Sequence, residues 1–326
     1  MDPPEIICLG ELLIDFCATV RDVSVGLATG FTKAPGGAPA NVAVAAGRLG
    51  AAAGFIGVVG DDPFGQFLAE TLWAEGVQTA QLHRLAEVKT PLAFVAVHSD
   101  GSGDFFFYHD AGLAPLRAEL IDDSYVASAG ALHFGSISRI QPGARAATDK
   151  ARRIAAESGL IVSYDPNYRP RLWGGADEAR RRIDEGFEGT TVAKISQEEW
   201  SFALGTEDFL AGAARLLDRG VKLVIRSEGA GGTSFATGRA EGHVEAFEVE
   251  SVEFTGAGDA FTGAILAELV ALAKAGAAPG ELEADQLRRI IRRANAAGAL
   301  TTTRPGAIPA LPTAEELEAF LTARGE

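Results

Sequence analysis

Thr255-Gly256-Ala257-Gly258-Asp259-Ala260-Phe261-Thr262-Gly263 sets a turn of small residues at the start of a helical pattern, with one carboxylate inside the turn. Downstream, Ala260, Phe261, Ile265, Leu266, Leu269, Val270 and Leu272 recur at helical spacing, so the periodicity predicts a helix opening near Gly258. Gly256 and Gly258 can leave backbone N–H groups unpaired and aimed outward. A helix N-terminus concentrates about half a positive charge and several orphan donors, which suits the charge developing on a transferring phosphoryl group. Asp259 in the first turn reads as a general base for a substrate hydroxyl. It also reads as a helix-capping acid, a use Asp often serves.

Outward from this stretch, short apolar runs alternate with longer helical patterns, which predicts βαβ units and a mostly parallel sheet. Strands are expected at 6–9, 53–59, 131–134, 160–164, 192–195 and 223–225, and helices at 40–49, 64–75, 144–157, 176–187, 209–219 and 286–300. Regions of about 12–35 and 90–110 break the rhythm and read as hairpins without crossover helices, the second with a turn at Asp100-Gly101-Ser102-Gly103. They would form a small sheet projecting from the α/β core, as a lid or as a sheet-edge extension. No repeat or flexible linker appears, so residues 1–326 read as one domain.

The 326 residues are 47% hydrophobic, enough for a large core, and the formal charge of −15 argues against nucleic-acid or anionic-membrane partners. Bound ATP would therefore rely on local donors. The opening Met-Asp-Pro-Pro-Glu-Ile-Ile-Cys lacks a basic segment followed by a long apolar one, and no apolar run approaches about 18 residues, so a cytoplasmic location is expected. Cys8 and Cys17 lie in strand-like segments and read as buried thiols, and the histidines lack zinc-ligand spacing. Neither Gly-x-x-x-x-Gly-Lys-Ser/Thr nor Gly-x-Gly-x-x-Gly after the first strand is present, which argues against a P-loop enzyme and a dinucleotide-dependent oxidoreductase.

Gly36-Gly37-Ala38-Pro39-Ala40-Asn41-Val42-Ala43 together with Thr255 to Phe261 resembles the paired signatures of the ribokinase-like (PfkB) sugar kinases. Gly57-Val58-Val59-Gly60-Asp61-Asp62-Pro63-Phe64-Gly65 and the order of elements extend the resemblance over essentially the whole chain. Within the family, Gly10-Glu11-Leu12-Leu13-Ile14-Asp15-Phe16, Asp165-Pro166-Asn167-Tyr168-Arg169, Lys194-Ile195-Ser196-Gln197-Glu198-Glu199 and Gly306-Ala307-Ile308-Pro309 look like fructokinase segments. The resemblance implies a ribokinase-like three-layer sandwich with a small β lid. It further implies ATP-dependent phosphorylation of the 6-hydroxyl of D-fructose, with Mg²⁺ and K⁺ as cofactors and a homodimer paired through the lids.

The implied site has Asp259 as base, the N–H groups of Gly256, Ala257 and Gly258 as anion hole, and Arg169 near the phosphate or sugar, unless Arg169 forms a surface salt bridge. Sugar hydroxyls would be held by Asp15 and Asn167, by Asn41, which could instead be a cap, and by His109, which could instead be lid surface. Gly36 and Gly37 would let the backbone approach the ligand. ATP would meet Ser196, Ser227, Gly229, Gly231 and Gly258, with Asn295 and Gly298 lining the adenine pocket or serving only helix packing. Glu199 would hold Mg²⁺ through water or be a solvated helix-start acid. His133 and His98 read as packed strand residues.

Departures from the family pattern fall at Glu253-Phe254-Thr255, where Asp-Thr-Thr is usual. Glu253, Thr255, Thr302 and Gly306 would form a monovalent-cation site in which Glu253 keeps the charge but adds a methylene. Phe107-Tyr108-His109 lacks the Arg with which 2-keto-3-deoxygluconate kinases pair the substrate carboxylate, which argues against that sugar acid. The rival functions are a kinase for another neutral sugar or a nucleoside, and a catalytically silent sugar- or partner-binding relative.

Overall fold

Ile6-Ile7-Cys8-Leu9 carries no charged side chain, as a strand buried on both faces requires, and in a computed structural model of the chain it forms the central strand β1 (Ile6–Leu9). The structure describes residues 3–98, 103–108 and 116–326. β2 (Leu13–Ala18), β3 (Phe31–Gly36), α1 (Ala38–Arg48), β4 (Ala53–Gly60), α2 (Pro63–Ala74), β5 (Gln78–Leu85), β6 (Leu92–Val97) and β7 (Gly103–Tyr108) complete the first third. The middle alternates as expected: α3 (Asp123–Ala127), β8 (Ala131–Gly135), α4 (Pro142–Glu157), β9 (Ile161–Asp165), α5 (Ala176–Gly186), β10 (Val192–Ser196), α6 (Gln197–Leu204), α7 (Phe209–Asp218) and β11 (Leu223–Ser227). A hairpin of β12 (Thr233–Ala236) and β13 (Glu241–Val244) precedes α8 (Ala257–Lys274), α9 (Ala284–Thr302) and α10 (Ala314–Thr322).

The large sheet has nine strands in the order β13-β12-β11-β10-β9-β8-β1-β4-β5, parallel from β11 to β5 and antiparallel at the β12–β13 edge. Side chains alternate across it. Ile6 and Cys8 join the core formed with α1, α8 and α9, while Ile7 and Leu9 join the core formed with α4, α5 and α7. The result is a three-layer sandwich. β1 has β4 on one side and β8 on the other, so the chain reverses its direction of winding there. The crevice beyond the carboxyl ends of such strands is where open α/β sheets take ligands.

The two expected hairpins join into a second, four-stranded sheet in the order β3-β2-β6-β7, with β2 parallel to β6. Phe16 stacks on Phe94 at 5.2 Å and meets Phe64 of α2 edge-on at 5.9 Å, which fastens this sheet to the α/β body. Asp62 does so through hydrogen bonds: it caps α2 by accepting from Phe64 and Gly65 N–H, and accepts from Thr90 N and Oγ1, at 2.9 and 2.7 Å, just before β6. Asp62→Ala is expected to lose about 2 kcal/mol in urea unfolding, the upper end of cap losses, because buried Thr90 loses its acceptor too. An unchanged midpoint would show the clamp to be dispensable.

Several expectations need correction. Cys8 is buried, but Cys17 is only half-buried, since β2 belongs to the small sheet, not the core. His133 is a packed strand residue, whereas His98 lies one residue past β6 and faces Asp104 at 3.7 Å. Residues 100–102 of the expected turn, and His109, lie outside the described residues. Among the described residues, no helix is long and apolar enough to cross a membrane.

Candidate active site

α8 opens at Ala257, and Gly256 precedes it with φ +83°, a left-handed conformation that favours glycine. Ala257 N–H turns back to Phe254 O at 3.3 Å, so it leaves the expected anion hole, while Ala260 N–H makes the first helical bond to Gly256 O. Among the described residues, the donors at this helix start that meet no backbone acceptor are then those of Gly256, Gly258 and Asp259. From the other motif, Asn41 lies in the first turns of α1 and donates through Nδ2 to Asp259 Oδ2 at 2.8 Å across 218 positions of sequence. The two signature motifs therefore meet side chain to side chain.

Asp259 shares a pocket with His133 inside β8 and with Glu11, Ser136, Asp165 and Asn167, which stand at or beyond the carboxyl ends of β1, β8 and β9. Asn167 adopts φ +43°, a turn Asn tolerates, and its N–H returns to Asp165 Oδ1 at 3.1 Å. Asp15 on β2 faces this region from the small sheet, and a Cβ on Gly36 would stand 2.1 Å from its Oδ2. Arg169 is exposed, yet its charge acts on Glu11, Asp15, Glu199 and Asp259 alike.

Burial in this acidic cluster raises its carboxyls. Asp259 is pushed up to about 6 by burial and the charge of Asp165, against the Asn41 hydrogen bond and the cations Lys194 and Arg169. Asp15 and Glu11 are each pushed up to about 7 by burial. Glu199, at the start of α6, is raised by burial and by Asp165, and accepts the Tyr168 N–H. His133, buried against Ser163 Oγ at 3.0 Å, is held down to about 4 and stays neutral. Burial opposes the charge on Lys194, but Asp165 at 2.9 Å outweighs it and keeps the ammonium protonated.

Ser196 and Ser227 are register partners at the ends of β10 and β11, followed by a tight turn at Gly229–Gly231. Asn295 does not offer a free amide there. Thr233 Oγ1 donates to its Oδ1 at 2.7 Å, and its Nδ2 donates to Val244 and Glu245 carbonyls, tying α9 to the β12–β13 hairpin. Gly298 lets α9 pack on the start of α8, where a Cβ would meet Ala257 O at 3.2 Å. Glu253 Oε2 accepts Gly306 N–H at 3.0 Å, and Thr302 O accepts the N–H groups of Val252 and Glu253, so Glu253, Thr302 and Gly306 do converge, with Thr255 close by in sequence.

Glu11, Ser136 and the Lys194–Asp165 pair were not expected in the site. Glu11 and Ser136 stand just past apolar strands, and Lys194 interrupts an otherwise apolar one.

A carboxylate at the mouth of a helix N-terminus, at the carboxyl edge of a parallel sheet, defines an α/β phosphotransferase without a P-loop. The pfkB family carbohydrate kinase pattern matches residues 3–314. The chain is 42% identical over 318 residues to probable fructokinase-4 of Arabidopsis thaliana, covering 97% of this chain and 96% of that one. It is 43% identical over 314 residues to fructokinase-2 of Solanum lycopersicum, covering 95% and 94%. A fructokinase from Xylella fastidiosa with bound ATP superposes with a TM-score of 0.88 at 34% identity, covering 98% and 99%. A putative ribokinase II from E. coli, in complex with ATP and Mg²⁺, gives 0.87 at 29%, covering 99% and 100%. The chain belongs to the pfkB family of carbohydrate kinases.

Proposed function

We propose that the chain is an ATP-dependent fructokinase, converting D-fructose and ATP to D-fructose 6-phosphate and ADP. The observation that carries this reading is the hydrogen bond between Asn41 and Asp259, which joins the two glycine-rich motifs at the proposed base, in a pocket that Glu11, Asp165 and Asn167 also line. The substrate assignment draws on the fructokinases at 42% and 43% identity.

Asp259 removes the proton from the 6-hydroxyl as that oxygen bonds to the γ-phosphorus. The bond to the bridging oxygen breaks and its electrons leave with ADP. The proton stays on the Asp259 carboxyl until product departs. The N–H groups of Gly256, Gly258 and Asp259 stabilise charge on the transferring group, with positioning and electrostatics supplying most of the rate. Asp15, Asn41 and Asn167 hold the sugar, and Arg169 counters the negative charge gathered around it. Ser196, Ser227, Gly229 and Gly231 form the nucleotide side, with Asn295 bracing it through the hairpin.

The acidic donors fit a hard divalent cation, and Glu199 would hold Mg²⁺ through water. When bound, Mg²⁺ supplies charge neutralisation at the phosphates. Convergence of Glu253, Thr302 and Gly306 supports K⁺ binding beside the helix start. The four-stranded sheet acts as a lid that excludes water. Its exposed Val20, Leu27 and Phe106 support pairing with a second copy, and a monomer by sedimentation at micromolar concentration would remove that part.

ATP turnover with Mg²⁺ and K⁺ across fructose, glucose, mannose, ribose, adenosine and 2-keto-3-deoxygluconate tests the reading. Selective turnover of fructose is expected. Preference for another acceptor overturns the substrate, and no turnover with any of them overturns the kinase reading itself.

A further inference from the structure

Glu11 lies two positions beyond β1 and is only 7% exposed. Its Oε1 accepts the Ala38 N–H at 3.2 Å, which holds the start of α1. Its Oε2 is buried with no hydrogen-bond partner. The Glu11 carbonyl packs close on Gly37, where a Cβ would stand 2.4 Å from it.

The same condition recurs nearby. Ser136, with no exposed surface, lines the same pocket as Glu11 and Asp259, and its Oγ has no partner. Asn41 Oδ1, beside the hydrogen bond to Asp259, has none either. A buried polar atom left unpaired costs about 1–3 kcal/mol, so orphans clustered about one pocket point to a ligand that satisfies them. The Glu11 and Asn41 oxygens are acceptors, and Ser136 Oγ can serve as one. The matching ligand is rich in hydroxyl donors.

We propose that Glu11, with Ser136, is a further substrate-binding residue: Glu11 Oε2 receives a hydroxyl of the acceptor sugar at the inner end of the pocket, adding a selection for polyhydroxylated acceptors to that of Asp15 and Asn41. This rests on the carbohydrate-kinase reading of the site.

The test is steady-state kinetics of the full chain carrying Glu11→Gln or Ser136→Ala, with sugar and ATP varied separately and deoxy analogues of the accepted sugar included. Gln keeps an oxygen for Ala38 N–H, so the start of α1 is preserved. Sugar KM is expected to rise about 10- to 100-fold in Glu11→Gln, the range of a lost charged hydrogen bond, with ATP KM and kcat little changed. One deoxy analogue should show no further loss in the variant, because its missing hydroxyl is the one Glu11 held. An unchanged sugar KM, as a purely structural or water-holding Glu11 would give, overturns the proposal. So does an added loss with every analogue. If Glu11→Gln fails to fold, Ser136→Ala, which only removes a hydroxyl, is read by the same sugar KM. Wild-type protein that turns over no sugar would instead overturn the kinase reading, an outcome distinct from an active enzyme indifferent to Glu11.

Discussion

Asp259→Asn is expected to lower kcat by about 10³-fold, within the range a positioned general base contributes, while sugar and ATP binding stay near wild type. The substitution is nearly isosteric, and Asn41 Nδ2, which donates to Asp259 Oδ2 at 2.8 Å, finds an amide oxygen in the same place. The opening of α8 is likewise unaffected, because its sharp turn is made by Gly256 and not by the Asp259 side chain. Only proton acceptance is lost. The pH profile supplies a second check. Burial pushes Asp259 up to about 6 in the free enzyme, and a base works when ionised, so kcat/KM for the sugar should rise with pH through about 6. Asp15 and Glu11, each pushed up to about 7, add a second rise near 7 through sugar binding. In Asp259→Asn the limb near 6 should vanish and the rise near 7 should stay. Near-normal turnover, or a limb near 6 that persists, would remove Asp259 as the base.

How much of this was legible in the sequence follows from what each element buries. β1 was read to the residue because all four of its side chains are core, and the start of α8 was read to within a residue because its apolar face is long and its start is marked by glycine. β5, Gln78–Leu85, was missed because it is an edge strand whose residues are nearly all only partly buried, so it needs no apolar run. β12 and β13 span four residues each, too short for alternation to stand out. Missing that hairpin also hid the partners of Asn295, whose amide holds β12 and the end of β13. In the site, Asp259 and Asn41 were legible because their glycine-rich surroundings flag a special backbone. Glu11 was not, because a single charge just past a strand reads as a surface residue until the facing elements are known to bury it, and Lys194, inside an apolar strand, shows no purpose until Asp165 of β9 stands 2.9 Å away.

Gly37→Ala is the second large effect, and comparison with Gly36→Ala separates fold from site. Gly37 sits at φ +115°, ψ 116°, outside the regions open to residues with a Cβ, and that Cβ would stand 2.4 Å from Glu11 O, 3.0 Å from Glu11 C and 3.1 Å from Leu12 Cα. These are backbone atoms next to β1 and cannot swing aside. Strain and overpacking together are expected to cost about 3–5 kcal/mol, a large part of the 5–15 kcal/mol typical of a folded domain. The denaturation midpoint should fall steeply, with sugar binding lost alongside it. Gly36 has no such φ, and the atoms its Cβ would strike, Oδ2 at 2.1 Å and Cγ at 2.8 Å, belong to the Asp15 side chain and not to the backbone. In Gly36→Ala the carboxylate rotates away and the backbone stays, so stability should change by about 1 kcal/mol or less, while sugar KM rises about 10- to 100-fold as Asp15 loses its place. Equal losses of stability in the two variants would mean that the turn is merely tight. A stable Gly36→Ala enzyme with unchanged sugar KM would mean that Asp15 does not hold the sugar.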